Sequence, residues 1–476
     1  MRGTDLQPEG FVMSVLIRNC MAVATMDAAR TVLKNADILI EGNRVAKVGV
    51  GLADEADEVI DGRRLVVIPG MINTHHHLYQ TLFRNVPRVQ NVKLFDWLIN
   101  LYQGWRHITP EAVHSAATTG LGELLLTGCT CAADHHYLFP KGYGNEILDA
   151  EVRAAAGLGM RFYPTRGSMS RGVSKGGLPP DDVVQTEDEI LRASEDFIRK
   201  CHDPKPGAML RVALAPCSPF SVTSELLSQS AALARRHKVR LHTHLAETQD
   251  EDDFCVQTLG KRPLAYMESV DWVGDDVWYA HGIWFNDEEI ALLGRTHTGV
   301  AHCPTSNLRL GSGIARVVDL RAAGARVGLA VDGSASNDAS DMLAEARLAL
   351  FVHRIGPHGV GAVSALDALE IATRGSAQVL GWDDELGAIA PGYLADLACF
   401  DMLDIAYAGA LSDPVAALLF CNSRTRAHTV FVNGKKVVSE GRLVNVDEVK
   451  VVETQNRLAA EILEKARPDI DLLQPM

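Results

Sequence analysis

From about residue 65 to residue 380 the chain alternates short apolar runs with amphipathic stretches. The runs fall at 65–74, 129–134, 161–165, 210–215, 240–244, 277–281, 299–303 and 326–332. They have strand length and little polar alternation, as strands buried on both faces of a parallel sheet require. Segments at helical spacing separate them, for example 224–236, 287–293 and 314–323. Thr109-Pro110-Glu111 opens another, with a Thr N-cap, Pro at the first helical position and an early acid, so a helix is expected over 110–126 with its stop at Gly128. Eight strand–helix units specify an α/β fold with a parallel sheet that can close into a (β/α)8 TIM-like barrel.

Both flanks have a different texture. Residues 15–19, 37–41 and 45–49 are strand-like, with Gly42-Asn43 as a hairpin turn between the last two. The far end returns to it at 387–400 and 429–438, where Asn433-Gly434 is a hairpin signal. The two flanks are expected to pair into one small β-sandwich domain, residues 1–65 with 385–450, and the barrel, 66–384, is inserted between its halves. Residues 167–182, rich in Gly, Ser and Pro, read as a long loop. Residues 451–476 read as a C-terminal amphipathic helix, on the surface or at a subunit contact, with a tail.

Composition narrows the class. The 476 residues are 47% hydrophobic and 22% charged, as in soluble globular proteins. The net charge of −14 and the absence of a basic stripe argue against nucleic-acid binding. No apolar run is long enough to span a bilayer. Nine cysteines at irregular spacings suit reduced thiols rather than disulfides. The first ten residues lack the pattern of a signal peptide, and Met13 offers an alternative start that would leave residues 1–12 as an unstructured leader. A cytoplasmic enzyme is expected.

Candidate chemistry lies where apolar strands end in polar residues. In Asn73-Thr74-His75-His76-His77 alternate side chains of an extended chain share a face, so His75 and His77 can reach one ion while His76 points away. His244 and Glu247 end the run at 239–245, His281 the run at 277–281, and Asp332 the run at 327–331. Strand ends of one barrel converge on one mouth. His75, His77, His244 and Asp332 supply three nitrogens and one oxygen, a set that suits one zinc ion per subunit and also iron(II). A metal-activated water is a nucleophile near neutral pH. Glu247 is placed to carry a proton and His281 to orient or polarise the attacked centre. His242 and His302 are read as packing or supporting residues.

These motifs resemble the amidohydrolase superfamily: Pro69-Gly70-Met71-Ile72-Asn73-Thr74-His75-His76-His77, His244-Leu245-Ala246-Glu247, Ala280-His281-Gly282, His302-Cys303-Pro304-Thr305-Ser306-Asn307 and Asp332-Gly333. Gly387-x-x-x-Pro391-Gly392-x-x-Ala395-Asp396 resembles that superfamily's return to its split β-domain. The resemblance implies a deformed barrel with a metal at its mouth. Two-metal members carry a lysine at the end of the fourth strand; here that run is Arg211-Val212-Ala213-Leu214-Ala215-Pro216-Cys217. The departure implies the one-metal branch, in which the glutamate protonates a ring nitrogen, the aspartate takes the proton of water and the sixth-strand histidine assists. It disfavours a ring-opening amidase of dihydropyrimidine type.

Within that branch, 166–172, 215–221, 242–248 and 332–338 resemble the 8-oxoguanine deaminases. Similar segments occur in isoxanthopterin deaminases and triazine aminohydrolases, so guanine, cytosine, pterin and triazine substrates stand as alternatives. Gln80 offers an amide to a purine edge. Cys217 and Ser218, with Phe220, end the fourth strand where they can line a pocket, and Trp97 can close over a ring. A small heterocyclic substrate is expected. A homo-oligomer is what family habit implies. A barrel without metal, serving only as a binding module, is the non-enzymatic alternative; the full ligand set speaks against it.

Overall fold

The computed structural model describes residues 14–421 and 426–476, and the alternative start at Met13 lies outside them. The chain first lays down β1 (Ser14–Ala24), β2 (Val32–Glu41), β3 (Arg44–Gly49), β4 (Glu58–Asp61) and β5 (Leu65–Pro69). Eight strands of a second sheet follow: β6 (Met71–Asn73), β7 (Cys129–His136), β8 (Arg161–Ser168), β9 (Ala213–Pro216), β10 (Arg240–Leu245), β11 (Val277–His281), β12 (Gly299–His302) and β13 (Arg326–Leu329). The chain then returns to the first sheet through β14 (Leu397–Asp401), β15 (Thr429–Val432), β16 (Lys435–Ser439) and β17 (Arg442–Leu443).

The first sheet runs β17-β16-β15-β14-β5-β1-β2-β3, with β4 added along β1. Its outer strand β3 comes back to the segment before β14: Val45 N–H donates to the Tyr393 carbonyl (2.9 Å) and Ala395 N–H to that of Asn43 (2.9 Å). The sheet thereby folds over one apolar core shared by Ile17, Ile38, Val45, Leu397 and Phe431. Asn433 and Gly434 turn the β15–β16 hairpin with φ of 53° and 75°, the pair of positive values that an Asn-Gly turn supplies.

The second sheet is all parallel, and its strands lie in sequence order from β6 to β13. β7, β8, β11 and β12 are buried along their whole length, which is why their sequences read as continuous apolar runs. The barrel closes just past the strand ends. Thr74 donates its N–H (3.1 Å) and its hydroxyl (3.0 Å) to the Leu329 carbonyl, and Asp332 N–H donates to the His75 carbonyl (3.1 Å). Two expected ligands therefore sit on the closing seam.

One expectation changes. Residues 65–74 do not form a single barrel strand. Leu65–Pro69 pairs with β1 and β14 in the first sheet, and only Met71–Asn73 enters the barrel. Both sheets bury this run on both faces, so its hydrophobicity fits either. Gly70 is the joint: a Cβ there would lie 2.1 Å from Thr130 Oγ1. The expected helix over 110–126 forms as Pro110–Leu126, with the Thr109 hydroxyl accepting from Ala112 N–H (3.2 Å). The C-terminal helix, Glu448–Ala466, packs on it: the Ser115 hydroxyl donates to Gln455 (2.8 Å), whose amide donates to the Thr81 hydroxyl (3.0 Å).

Candidate metal centre and active site

His75 and His77 lie beyond the end of β6, in extended chain rather than in the strand itself. His244 is in β10, His281 ends β11, and Asp332 follows β13 by three residues. His75, His77, His281 and Asp332 are buried and His244 is partly buried, and the five side chains meet at the barrel mouth. His75 Nε2 and His77 Nε2 lie 3.2 and 3.3 Å from Asp332 Oδ1, and His77 Nε2 lies 3.1 Å from His244 Nε2.

The far nitrogen of each ring decides what the near one can do. His77 Nδ1–H donates to the His135 carbonyl (2.7 Å) and His244 Nδ1–H to the Cys217 carbonyl (2.6 Å). His242 Nδ1–H donates to the Trp278 carbonyl (3.0 Å), which leaves its Nε2 to accept from His75 Nδ1–H at 2.7 Å. Each of the three Nε2 atoms then presents a lone pair. Burial reinforces neutrality: it holds His75 and His244 well below the ordinary imidazole range and brings His77 down to about 4. Asp332 is ionised. Burial opposes this, but the facing His281, itself raised above its usual value, favours the charged form, and the carboxyl lies well below the usual range.

Four electron-pair donors thus face one another with no proton between them, and His75 Nε2 is buried without a hydrogen-bond partner. A cation resolves that arrangement. Bonds of about 2.0–2.1 Å put neighbouring donors of a tetrahedral site about 3.3 Å apart, which matches the spacings here. Three imidazoles and one carboxylate around one point fit a single zinc-sized ion. His135, which the sequence reading did not single out, is also near. Its ring stacks on His244 at 4.6 Å and 25°, its Nε2–H donates to the Ala215 carbonyl (2.9 Å), and it has a ring nitrogen within 4.8 Å of those of His75, His77 and His244. The sequence carries the signal, since Asp134-His135-His136 ends β7 as the ligand runs end theirs, two residues beyond the apolar run at 129–134.

The rest of the mouth supports these residues. Asp332 Oδ2 accepts from the Ser306 hydroxyl (2.6 Å) and from that of Ser336 (3.2 Å). His281 Nδ1–H donates to Asn307 Oδ1 (2.9 Å), and its Nε2 lies 3.5 Å from Glu247 Oε2 and 4.0 Å from Asp332 Oδ2. Burial opposes protonation of His281, but the facing Glu247 and Asp332 outweigh it and raise the imidazole above its usual value. Burial lifts Glu247 to about 7; His281 works against this, while Asp332 and Glu251 add to it. Asp332 and His281 both hold left-handed backbone, φ 64° and 72°, a conformation rare for such residues and concentrated at functional sites.

A narrow cleft opens above these residues, lined by His77, His244, Glu247, His281 and Asp332. Gln80, Trp97, Cys217 and Phe220 line it too, as expected, and so do Leu94, Leu98, Tyr137, Leu310 and Ser336, which sequence alone did not mark. Both amide atoms of Gln80 are buried and unpartnered. A Cβ on Gly333 would lie 2.0 Å from Gln80 Oε1, so glycine makes room for that amide. Trp97 donates its indole N–H to the Ala335 carbonyl (3.2 Å). Ser218 is outside the lining: one residue past Cys217, its hydroxyl pairs with that of Ser221 (2.7 Å). His76 bonds Ser340 (3.0 Å) and His302 bonds His353 (3.2 Å), both away from the ligand cluster.

Residues 66–437 match the model of the amidohydrolase family. The chain belongs to the amidohydrolase family. This amidohydrolase is 48% identical to an 8-oxoguanine deaminase of Pseudomonas aeruginosa, over 94% of this chain and 98% of that one. It is 35% identical to an isoxanthopterin deaminase of an unknown prokaryote, over 96% and 98% of the two chains. Among solved structures it resembles an atrazine chlorohydrolase of Arthrobacter aurescens complexed with zinc, at a TM-score of 0.90 and 35% identity, covering 94% of this chain and all of that one. The family's barrel with a sheet built from both flanks is the architecture seen here. In this amidohydrolase β9 ends in Ala213-Leu214-Ala215-Pro216, with no lysine to bridge a second ion.

Proposed function

We propose that this protein is a zinc-dependent hydrolytic deaminase of a free heterocycle, with 8-oxoguanine as substrate and urate and ammonia as products. Zinc is assigned to His75, His77, His244 and Asp332. The observation that carries the reading is the pairing of this ligand set with Glu247, a buried carboxyl poised at about 7 and facing His281. The 48% identity to an 8-oxoguanine deaminase supports the substrate. When bound, zinc supplies the Lewis acidity that makes water nucleophilic near neutral pH.

The side chains do the rest. Ionised Asp332, held by Ser306 and Ser336, takes a proton as water oxygen bonds to the amino-bearing ring carbon. Glu247, half protonated near neutrality, gives its proton to the adjacent ring nitrogen. His281 lies against both carboxylates and orients the attacked carbon. The carbon–amine bond then breaks as the amine takes the proton held by Asp332, the added hydroxyl returns its proton to Glu247 as the carbonyl forms, and ammonia leaves. Gln80 pairs its unpartnered amide with the lactam edge of the substrate, Trp97 and Phe220 cover the ring, and Cys217 lies at its rim. The reading includes a cytoplasmic homo-oligomer; light scattering on the purified protein tests the oligomer and cell fractionation the location.

Ammonia release is to be measured with 8-oxoguanine, guanine, isoxanthopterin, cytosine and hydroxylated triazines. The highest kcat/KM is expected for 8-oxoguanine; a triazine or a pterin at the top replaces that substrate with it. Glu247→Gln should lower kcat by roughly 10²–10⁴-fold with metal content unchanged by elemental analysis. Undiminished turnover in that variant removes Glu247 from the proton path.

A further inference from the structure

Glu247 reaches the cleft because the chain turns sharply after His244. β10 ends at Leu245, and Ala246 takes φ 53°, a left-handed conformation that residues with a Cβ rarely adopt. On one side of this turn the Ala246 carbonyl accepts from the N–H groups of Ile283 (2.8 Å) and Trp284 (3.0 Å). On the other side two amides point at one carboxylate. Glu251 Oε1 accepts from Ala246 N–H at 3.1 Å, and Oε2 accepts from Glu247 N–H at 2.9 Å. Glu251 is 1% exposed and sits in the Gln249–Phe254 helix, outside the residues that line the cleft. A carboxylate in such a place is costly unless its oxygens are satisfied: burial raises Glu251 to about 7, and the two backbone amides of this strained turn work against that rise and satisfy its oxygens.

We propose that Glu251 is a positioning residue: its carboxylate clamps the left-handed turn at Ala246 and thereby aims the Glu247 side chain at His281 and the ligand cluster. The role given to Glu247 rests on the function proposed above; the clamp does not. The chemistry asks for a carboxylate. A carboxamide has one acceptor oxygen and one amino group, so in Glu251→Gln a donor would face a donor at one of the two amides. The near-identical shape keeps the helix packed while one arm of the clamp opens.

Two measurements on the intact, metal-loaded protein decide the matter. Hydrogen exchange followed by mass spectrometry should show the amides of 246–247 exchanging at least about tenfold faster in Glu251→Gln, with the remaining barrel peptides unchanged. Kinetically, Glu251→Gln should lower kcat by about 10²-fold, the scale of a misplaced catalytic group, with KM within about twofold and metal content unaltered. The double variant Glu247→Gln/Glu251→Gln should be no slower than Glu247→Gln alone, because a residue acting through Glu247 has nothing left to position. Unchanged exchange at 246–247 overturns the clamp, and losses that multiply in the double variant overturn its action through Glu247. If wild type turns over none of the heterocycles, the proposed function falls, and the exchange result still decides the clamp.

Discussion

At the residue scale, the mouth is built from imidazoles whose outer nitrogens are occupied by protein acceptors. This fixes their tautomers before any ion arrives, and it has a consequence for pH. Burial lowers His77 to about 4, and His76 and His242 to about 3. In the unfolded chain the same groups take up protons near about 6.5. Between those values the unfolded state binds more protons, so folding stability falls as pH falls, by about 1.4 kcal/mol per unit for each such histidine. The contribution is complete above about pH 6.5 and is lost down to the folded values. Metal-stripped protein should therefore show a Tm that drops progressively from pH 7 to pH 4 in differential scanning calorimetry. A Tm that is flat or rises over that range would show that these histidines are not buried neutral.

At the element scale, the site depends on how short pieces are joined. Gly70 links β5, which belongs to the flank sheet, to β6, which opens the barrel and leads to His75 and His77. Thr130 crowds it, at the start of β7. Gly70→Ala forces a methyl group against a β-branched side chain and should destabilise the fold by about 1–3 kcal/mol, read from the urea midpoint. An unchanged midpoint would mean that the joint is looser than the packing indicates. The 65–74 run could not be divided by reading it, because a short apolar segment is equally at home in either buried sheet. Ser218 was misdirected for a related reason. Past the end of a strand, alternation no longer dictates where a side chain points.

At the scale of the whole molecule, a buried ion pair ties the barrel to the flank sheet. Arg161 at the start of β8 donates from Nη2 to Asp396 Oδ1 (2.9 Å) and from Nε to Oδ2 (3.1 Å). Asp396 also accepts from Asn433 N–H at the hairpin turn (2.8 Å), and its carbonyl accepts from Gly70 N–H (2.8 Å). Asp396→Ala leaves the arginine charged and buried without a counter-charge and should cost about 3–5 kcal/mol. Denaturant unfolding of Asp396→Ala beside Arg161→Met/Asp396→Leu checks this, since the double variant should recover much of the loss. Equal destabilisation of both would assign the effect to packing.

Most of the strands, the Thr109 helix cap, the Asn-Gly hairpin and the positions of His75, His77, His244, Glu247, His281 and Asp332 at or just past strand ends are legible along the chain. They follow from local properties: strand length, apolar continuity and a polar residue where each run stops. What no local pattern contains is which groups meet. The His242 relay to His75, the Ser306 and Ser336 hydroxyls on Asp332, the Glu251 carboxylate beneath Ala246 and the placement of His135 behind His244 each join residues distant along the chain or set by a backbone turn. Such pairings arise only when the barrel closes, because closure brings loops from different strands within hydrogen-bond distance of one another.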